Sequence, residues 1–195
     1  AGWRGPPRGA LAYLAARCVP HREAHFRAFQ KELGDAAAAL GACNGSVLEG
    51  RTETAQTPGR SANTFMDDAV DLLRGYDFAM AYENANVTGY ITEKIASAYL
   101  AGAIPIYWGT PDVMSIFNPD SFVYAPRFGS PESLARHVSS LRGTAQAEDM
   151  RRGPILRPGA LERFFSWRDD VAGQLGRDVR DAAARLLREL AQPDV

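Results

Sequence analysis

Short apolar runs alternate along the chain with longer segments whose apolar residues fall on one side of a helix. The pattern is clearest in the middle, where YDFAMAY (76–82) and AIPIYW (103–108) are predicted strands. Between them, ITEKIASAYLA (91–101) is a predicted helix that ends at Gly102. Strand, helix and strand in this order predict a right-handed parallel crossover.

The flanking segments continue this alternation. GALAYLAAR (9–17) predicts a buried strand that breaks off before Pro20, and HREAHFRAFQKELG (21–34) predicts a helix with Gly34 as its stop. Residues 42–63 are polar and contain glycine, which favours a loop. The remaining predicted elements are a helix in TFMDDAVDLLRG (64–75), a loop and strand in FNPDSFVYA (117–125), a helix in SPESLARHVSSL (130–141) that Ser130 caps, and a charged helix from Arg163 onward.

These elements predict an α/β domain in residues 1–160, with a Rossmann-like, mostly parallel sheet flanked by helices, and a helical tail in residues 161–195. A hydrophobic content of 46% provides a core. A formal net charge of -1 favours neither nucleic acid nor a membrane surface, so we expect no nucleic-acid partner. No apolar run is long enough to cross a bilayer. Because the chain begins with Ala1, we expect any membrane anchor to lie in a segment outside it.

The chain has two cysteines, Cys18 and Cys43. They either form one disulfide or remain separate thiols. Nothing in the sequence brings the two residues together, so free, buried thiols are the favoured interpretation.

Hydrogen-bonding side chains collect where the strand 76–82 ends and the next helix begins. Glu83 and Asn84 follow the strand, Tyr90 precedes the helix, and Glu93 and Lys94 lie in its first turn. Ligands of open parallel sheets bind beyond the carboxyl ends of the strands. A helix start also favours an anion, through its unpaired N–H groups and its partial positive charge.

Arg22 repeats this arrangement at the start of the helix that follows the first strand. Adjacent strands would direct Arg22 and Lys94 into one crevice, and such a pair of cations suits a diphosphate. The alternative is that both are solvated charges on helix surfaces, as most such residues are. Tyr90 could likewise be a packed aromatic residue whose hydroxyl is satisfied locally.

Several common sites are not recognisable in the sequence. No GxGxxG or GxxxxGK[ST] follows a predicted strand, which argues against a dinucleotide oxidoreductase and a P-loop NTPase. There is no DxD triplet, and His21, His25 and His137 form no recognisable set of metal ligands. We therefore predict neither a cofactor nor a bound metal, and expect Arg22, Lys94 and a helix start to neutralise any diphosphate.

The stretch YENANVTGYITEKIASAYLAGAIPIYWGTPDVMSIFNPDSFV (82–123) resembles the donor-binding motif of the α-1,3/4-fucosyltransferases, approximately FEN…YVTEK…AGxIPIYWG…FNPxSF. Upstream, CVPHREAHFRAF (18–29) is similar to the arginine-bearing segment of the family. The resemblance implies the C-terminal, GDP-fucose-binding domain of a two-domain GT-B glycosyltransferase. It also implies transfer of fucose to a glycan hydroxyl, with inversion, without a bound metal and with an α-1,3 linkage.

The resemblance assigns roles to individual residues. Arg22 and Lys94 would bind the diphosphate, and Glu93, the one residue of this chain given a catalytic role, would contact the ribose or the sugar. Asn84 and Tyr90 would complete the pocket. Glu83 matches the acid that precedes the asparagine in the family. The predicted donor-binding set is therefore Arg22, Glu83, Asn84, Tyr90, Glu93 and Lys94.

Parts of the family pattern are missing from this sequence. The general base of the family belongs to the N-terminal domain, and the glycine-rich segment is only loosely matched by LGACNGS (40–46). Two alternatives therefore stay open: a nucleotide-sugar-binding module without catalysis, and a GT-B transferase that uses another nucleotide sugar. The resemblance implies the lumenal side of the Golgi membrane for a eukaryotic protein, and the cytoplasm or a membrane-associated location for a bacterial one.

Overall fold

The structure, a computed structural model, describes residues 6–45, 53–54 and 67–160. Its main sheet has five parallel strands in the spatial order β3-β1-β5-β6-β7. A short antiparallel pair, β2 with β4, lies outside this sheet. In chain order the strands are β1 (Gly9–Tyr13), β2 (Arg17–Cys18), β3 (Ala37–Ala39), β4 (Glu53–Thr54), β5 (Tyr76–Tyr82), β6 (Ile104–Trp108) and β7 (Val123–Tyr124).

Helices occupy both faces of the sheet. They are α1 (Pro20–Leu33), α2 (Asp67–Leu73), α3 (Glu93–Leu100), α4 (Val113–Ile116), α5 (Pro131–Leu141) and α6 (Ala145–Arg152). Two 3-10 turns follow α1 and β7, at Gly34–Ala36 and Ala125–Arg127. Among the helices of the described residues, none combines the length and the apolar character that a membrane span needs. The parallel sheet with flanking helices confirms the predicted fold class.

The strand order reverses between β1 and β5. The chain leaves β1 through α1 and returns on one side as β3, whereas it leaves β5 through α3 and returns on the other side as β6. The loops at the carboxyl ends of β1 and β5 therefore turn away from each other and leave a crevice between them. In open α/β sheets this position is the usual ligand site.

The two faces of the sheet are packed with side chains of different size. On the face covered by α1, α5 and α6, the core contains large side chains such as Phe26, Phe78 and Leu134. On the other face, small side chains predominate where α2 and α3 lie against β1 and β5, which allows close packing of helix against sheet, whereas large side chains such as Tyr107 and Phe117 pack near α4. The buried alanines of this second face are Ala12, Ala79, Ala98, Ala101 and Ala103.

Most predicted elements are present, with shifted boundaries. The strand predicted over 9–17 ends at Tyr13, and the helix predicted from residue 91 begins at Glu93. The stops at Gly34 and Gly102 are confirmed, because both glycines have positive φ. The structure adds five strands and helices that the sequence did not predict: β2, β3, β4, α4 and α6. The segment 64–66 and the predicted tail 161–195 lie outside the described residues, so the domain boundary stays a prediction.

The preference for free cysteines was wrong. Cys18 and Cys43 form a disulfide whose Cα atoms are 5.2 Å apart. Both residues are buried, and the bridge ties the segment before α1 to the loop after β3. The sequence separation of 25 residues hides this proximity, which arises because β3 pairs directly with β1.

Candidate functional site

A cavity of about 320 Å³ opens at the crevice between the carboxyl ends of β1 and β5. One side of it is polar, with Arg22, Asn84, Glu93 and Lys94. Four of the six residues predicted to bind a donor therefore line a single cavity. The other lining residues are Tyr13, Leu14, Ala15, Ala16, Arg17, Ala69, Leu73, Met80, Tyr82 and Ser97.

Lys94 is held at the first turn of α3 by three oxygen-bearing neighbours. Its Nζ donates a hydrogen bond of 2.8 Å to Oγ1 of Thr92. The same Nζ lies 3.5 Å from Oε2 of Glu83 and 3.6 Å from Oε1 of Glu93. The Lys94 side chain is 29% exposed, so its positive charge reaches the cavity from a fixed position.

Glu83 lies beneath the cavity rather than in its lining. The residue is completely buried at the end of β5. Its two carboxylate oxygens accept hydrogen bonds from the backbone N–H of Thr92 at 2.7 Å and from the Thr92 hydroxyl at 2.6 Å. Its own N–H donates to the carbonyl oxygen of Trp108 at 2.8 Å. Glu83 thus joins the ends of β5 and β6 to the start of α3.

A glycine leaves room for this buried carboxylate. A Cβ atom on Gly109 would lie 2.6 Å from the Tyr107 hydroxyl oxygen and 2.9 Å from Cγ of Glu83. Distances below 3.0 Å are not found for real Cβ atoms, so any larger residue at position 109 would displace one of these side chains. The glycine after β6 therefore helps to fix the position of Glu83.

Arg22 connects the two strand-to-helix junctions. Although it belongs to α1, its Nη2 donates to the carbonyl oxygens of Tyr82 (3.1 Å) and Glu83 (2.8 Å) and to Oδ1 of Asn84 (2.7 Å). Its Nη1 donates to the carbonyl oxygen of Arg17 at 3.3 Å. Carbonyl oxygens at a strand end need donors when they are buried, and this guanidinium supplies them.

The charge of Arg22 is largely enclosed, since the residue is only 4% exposed. Burial lowers the pKa of Arg22, an effect that Tyr13 and Glu83 oppose. The guanidinium stays charged at neutral pH, because arginine normally titrates far above it. Its Nε is buried and has no hydrogen-bond partner among the described residues. Arg22 thus combines a structural role with a positive charge at the wall of the cavity.

The remaining predicted residues differ in position. Asn84 is exposed, and Arg22 orients its side-chain oxygen. Glu93 has a side chain that is 43% exposed and faces Lys94. Tyr90 is half-buried but does not line the cavity; its backbone N–H donates to the carbonyl oxygen of Val87. The structure brings Arg22, Asn84, Glu93 and Lys94 together and sets Glu83 and Tyr90 outside the lining.

Both helices that begin at the crevice lack a side-chain cap in the described part of the chain. The N-cap residues are Val19 for α1 and Thr92 for α3, and neither side chain accepts a hydrogen bond from a backbone N–H of its helix. The Thr92 hydroxyl instead donates a hydrogen bond to the Glu83 carboxylate. The first-turn N–H groups of α3 therefore have no capping side-chain oxygen, so they are available to bind an anion.

Two histidines lie close to the crevice but add no charge to it. The His21 ring lies 4.2 Å from the ring of Trp108, and His25 meets the Tyr82 ring edge-on at 5.4 Å, both between ring centroids. Burial and the neighbouring Arg22 lower the pKa of His21 to about 4, and burial also lowers the pKa of His25. Both imidazoles are therefore neutral at pH 7, and the cationic residues that line the cavity are Arg17, Arg22 and Lys94.

One group of side chains within residues 6–45, 53–54 and 67–160 has the spacing of metal ligands: Cys18, Glu23 and Cys43. The two sulfur atoms are bonded to each other. The Glu23 carboxylate accepts hydrogen bonds from the Tyr13 hydroxyl and from the N–H of Gly45, both at 2.7 Å. Because its donor atoms are already engaged, we assign no metal to this group.

The sequence analysis missed two contributors to the site. Thr92 bridges Glu83 and Lys94. It falls inside the helix predicted from residue 91, although a threonine near a helix start is a recognisable N-cap candidate. Glu23 is completely buried and links β1 to the loop after β3. Its position next to Arg22 gave no signal, because acidic residues are common in the first turn of exposed helices.

Comparison with known proteins places this chain in a family. Residues 39–186 match the family described as glycosyltransferase family 10 (fucosyltransferase) C-term. The chain is 51% identical over 71 residues to the alpha-(1,3)-fucosyltransferase FucT of Helicobacter pylori, a match to 36% of this chain and 15% of that protein. It is 37% identical over 81 residues to GDP-fucose protein O-fucosyltransferase 3 of Xenopus laevis, covering 40% and 17% of the two chains.

A solved structure has the same fold. The structure described as alpha1,3-fucosyltransferase with GDP-fucose superposes with a TM-score of 0.56 at 28% sequence identity. The superposition covers 74% of this chain and 38% of the other. The chain therefore spans well under half the length of each of these proteins.

Proposed function

The chain belongs to glycosyltransferase family 10, the fucosyltransferases, and from this membership we propose its function. The chain binds GDP-fucose in the cavity between β1 and β5. It is the donor-binding part of a transferase that moves fucose from GDP to a hydroxyl of an acceptor glycan.

A single observation carries this proposal. Arg22, Asn84, Glu93 and Lys94 come from two separate strand-to-helix junctions, yet they line one cavity at the point where the strand order reverses. Two cations with hydrogen-bonding side chains and an uncapped helix start suit a diphosphate that carries hydroxylated groups at both ends.

In the proposed reaction the bond between C1 of fucose and the diphosphate oxygen breaks while an acceptor oxygen bonds to C1. The acceptor hydroxyl gives its proton to a base, and GDP leaves with the electron pair of the broken bond. Lys94, Arg22 and the first-turn N–H groups of α3 stabilise the charge that develops on the leaving diphosphate. Glu93 is exposed enough to give up its contact with Lys94 and accept a hydrogen bond from a donor hydroxyl when the diphosphate binds.

Three finer features of the proposal rest on the resemblance of residues 82–123 to the family motif. These are inversion at C1, an α-1,3 linkage, and donor binding that does not depend on a metal. The last has physical support in the site itself, because two basic side chains and a helix start provide positive charge at the diphosphate position. We assign the base that receives the acceptor proton to none of the described residues.

Donor preference tests the proposed substrate. We expect isothermal titration to give tighter binding for GDP-fucose than for GDP-mannose or UDP-galactose. A preference for either of the other two nucleotide sugars would contradict the assignment. Repeating the titration with added Mg²⁺ and then with EDTA tests metal independence, for which we expect equal affinities.

The role of Lys94 has a matched control on the same protein. We expect Lys94→Ala to weaken GDP binding at least tenfold, about 1.5–3 kcal/mol, since it removes a charge-assisted contact. Lys31→Ala removes an exposed lysine from the last turn of α1 and should leave GDP affinity unchanged. Equal effects of the two substitutions in a GDP titration would contradict the site.

A further inference from the structure

Glu83 is a buried carboxylate close to a site that must attract an anion, where a negative charge is unexpected. We propose that Glu83 is a positioning residue, which acts on the donor diphosphate through Thr92 and Lys94 without touching the donor. This inference rests on the proposed function of the cavity. It differs from the role that the family resemblance implied, in which Glu83 belonged to the donor-binding set.

The first step of the argument is the direction of the hydrogen bonds. The Thr92 hydroxyl has one proton, and at 2.6 Å from Glu83 that proton is donated to the carboxylate, which can only accept. The hydroxyl oxygen is then left as an acceptor for Nζ of Lys94, at 2.8 Å. The Glu83 carboxylate therefore determines that Thr92 presents a lone pair to Lys94.

The second step is the rigidity of Glu83. Its second oxygen accepts the backbone N–H of Thr92 at 2.7 Å, so the carboxylate also fixes the chain where α3 begins. Its backbone N–H is bonded to the carbonyl oxygen of Trp108, and its Cγ occupies space that a Cβ atom on residue 109 would need. With no exposed surface, Glu83 has no solvated position to which it could move.

The third step is the difference between the two acids beside Lys94. The Glu93 side chain is 43% exposed, whereas that of Glu83 is fully buried, and both lie about equally far from Nζ. An arriving phosphate can replace the exposed acid but not the buried one. Lys94 therefore keeps its contacts on the Glu83 side while its exposed side is open to the diphosphate.

Two opposing effects make the inference testable. As a simple charge, Glu83 would repel a diphosphate, so its neutralisation would tighten GDP binding. If Glu83 is a positioning group, its loss would weaken GDP binding, and this effect would require Lys94. We expect positioning to dominate, because the carboxylate makes short hydrogen bonds in a site closed to water, where such bonds are strongest.

The experiment uses Glu83→Gln, which keeps the shape of the side chain, in the 195-residue chain. GDP affinity is measured by titration in the parent and in a Lys94→Met background. We expect Glu83→Gln to weaken GDP binding about tenfold in the parent and less than about twofold in the Lys94→Met background. Thr92→Val, which removes the bridging hydroxyl, should show the same dependence on Lys94 and is available if Glu83→Gln does not fold.

Glu23→Gln is the matched control. Glu23 is equally buried and also accepts one hydroxyl and one backbone N–H, but at the other junction and without contact to Lys94. Any change in GDP affinity that Glu23→Gln causes should be the same with and without Lys94. Tighter or unchanged GDP binding in Glu83→Gln, or an equal loss in both backgrounds, would overturn the positioning role.

A second measurement needs no ligand. Exchange of the Lys94 ammonium protons with water, followed by ¹⁵N NMR, should become faster in Glu83→Gln and stay unchanged in Glu23→Gln. Unchanged exchange in Glu83→Gln would overturn the positioning role whether or not GDP binds. Failure of the parent chain to bind GDP would instead overturn the proposed function, so the two failures are distinguishable.

Discussion

The two helices that begin at the crevice, α1 and α3, differ from α5 and α6, which begin elsewhere. At the start of α5, Ser130 and Ser133 form a reciprocal capping box, and Thr144 caps α6 through the N–H of Ala147. The N-cap residues of α1 and α3, Val19 and Thr92, provide no such bond. Side chains thus cap α5 and α6, whereas α1 and α3, which point at the cavity, have no side-chain cap; the single turn of α4 also has none.

This difference shows how the fold separates stability from binding. A side-chain cap stabilises a helix by about 1 kcal/mol, but it occupies N–H groups that could otherwise bind an anion. The uncapped helices are stabilised by other means. The disulfide and Arg22 fix the start of α1, and the Glu83 carboxylate fixes the backbone at the start of α3.

The largest effect that would test this comparison is expected for Arg22→Ala. It leaves the carbonyl oxygens of Tyr82 and Glu83 without their buried donor and should lower the free energy of unfolding by about 4 kcal/mol. GDP affinity should fall as well. The control is Arg136→Ala, which removes an exposed arginine from α5 and should change neither quantity. Parent-like unfolding in urea for Arg22→Ala would contradict the structural role.

A smaller effect is expected from loss of the disulfide. Without the Cys18–Cys43 bridge, a loop with a sequence separation of 25 residues is no longer closed in the unfolded chain, which should cost about 3 kcal/mol. The measurement compares urea unfolding of the oxidised chain with that of a Cys18→Ser, Cys43→Ser variant. Because α1 has no cap, we also expect GDP to bind more weakly to this variant. Unchanged GDP affinity would show that Arg22 alone fixes the start of α1.

The smallest effect is expected at a capped helix. Ser130→Ala removes the α5 cap and should lower the free energy of unfolding by about 1 kcal/mol, with GDP affinity unchanged. Ser140→Ala makes the same exchange inside the same helix and should not be destabilising, since alanine has the highest helix propensity. A loss of GDP affinity in Ser130→Ala would contradict the proposal that capped helices contribute to stability and not to GDP binding.

The sequence predicted the centre of the sheet well. The apolar runs of β5 and β6 are buried strands, and the apolar residues of α3 lie on the side of the helix that packs on the sheet. The prediction failed where tertiary pairing overrides local preference. Ala37–Ala39 consists of alanine, the best helix former, yet it is a strand because it pairs with β1. Helix α6 was missed because AQAEDMRR is mostly polar and buries only Ala147 and Met150.

The sequence predicted which residues lie near the candidate site, but not which of them are buried. Strand ends and helix starts predicted Arg22, Asn84, Glu93 and Lys94 near one crevice; in the structure the four line one cavity, and their role in donor binding stays a prediction. Sequence position could not show that Glu83 turns inward, because adjacent residues at a strand end point to opposite sides. The disulfide was hidden for a related reason, since its formation depends on the sheet order and not on the spacing of the cysteines.

The alanine-rich face of the sheet has a consequence for how this protein can change over evolutionary time. Ala79 and Ala98 separate β5 from the helix that carries Lys94, and both are almost completely enclosed. A single additional methyl group there would push α3 outward and carry the lysine with it, at a cost of roughly 1–3 kcal/mol. Substitutions that never contact a nucleotide sugar would thus alter the proposed recognition of one, through the position of α3.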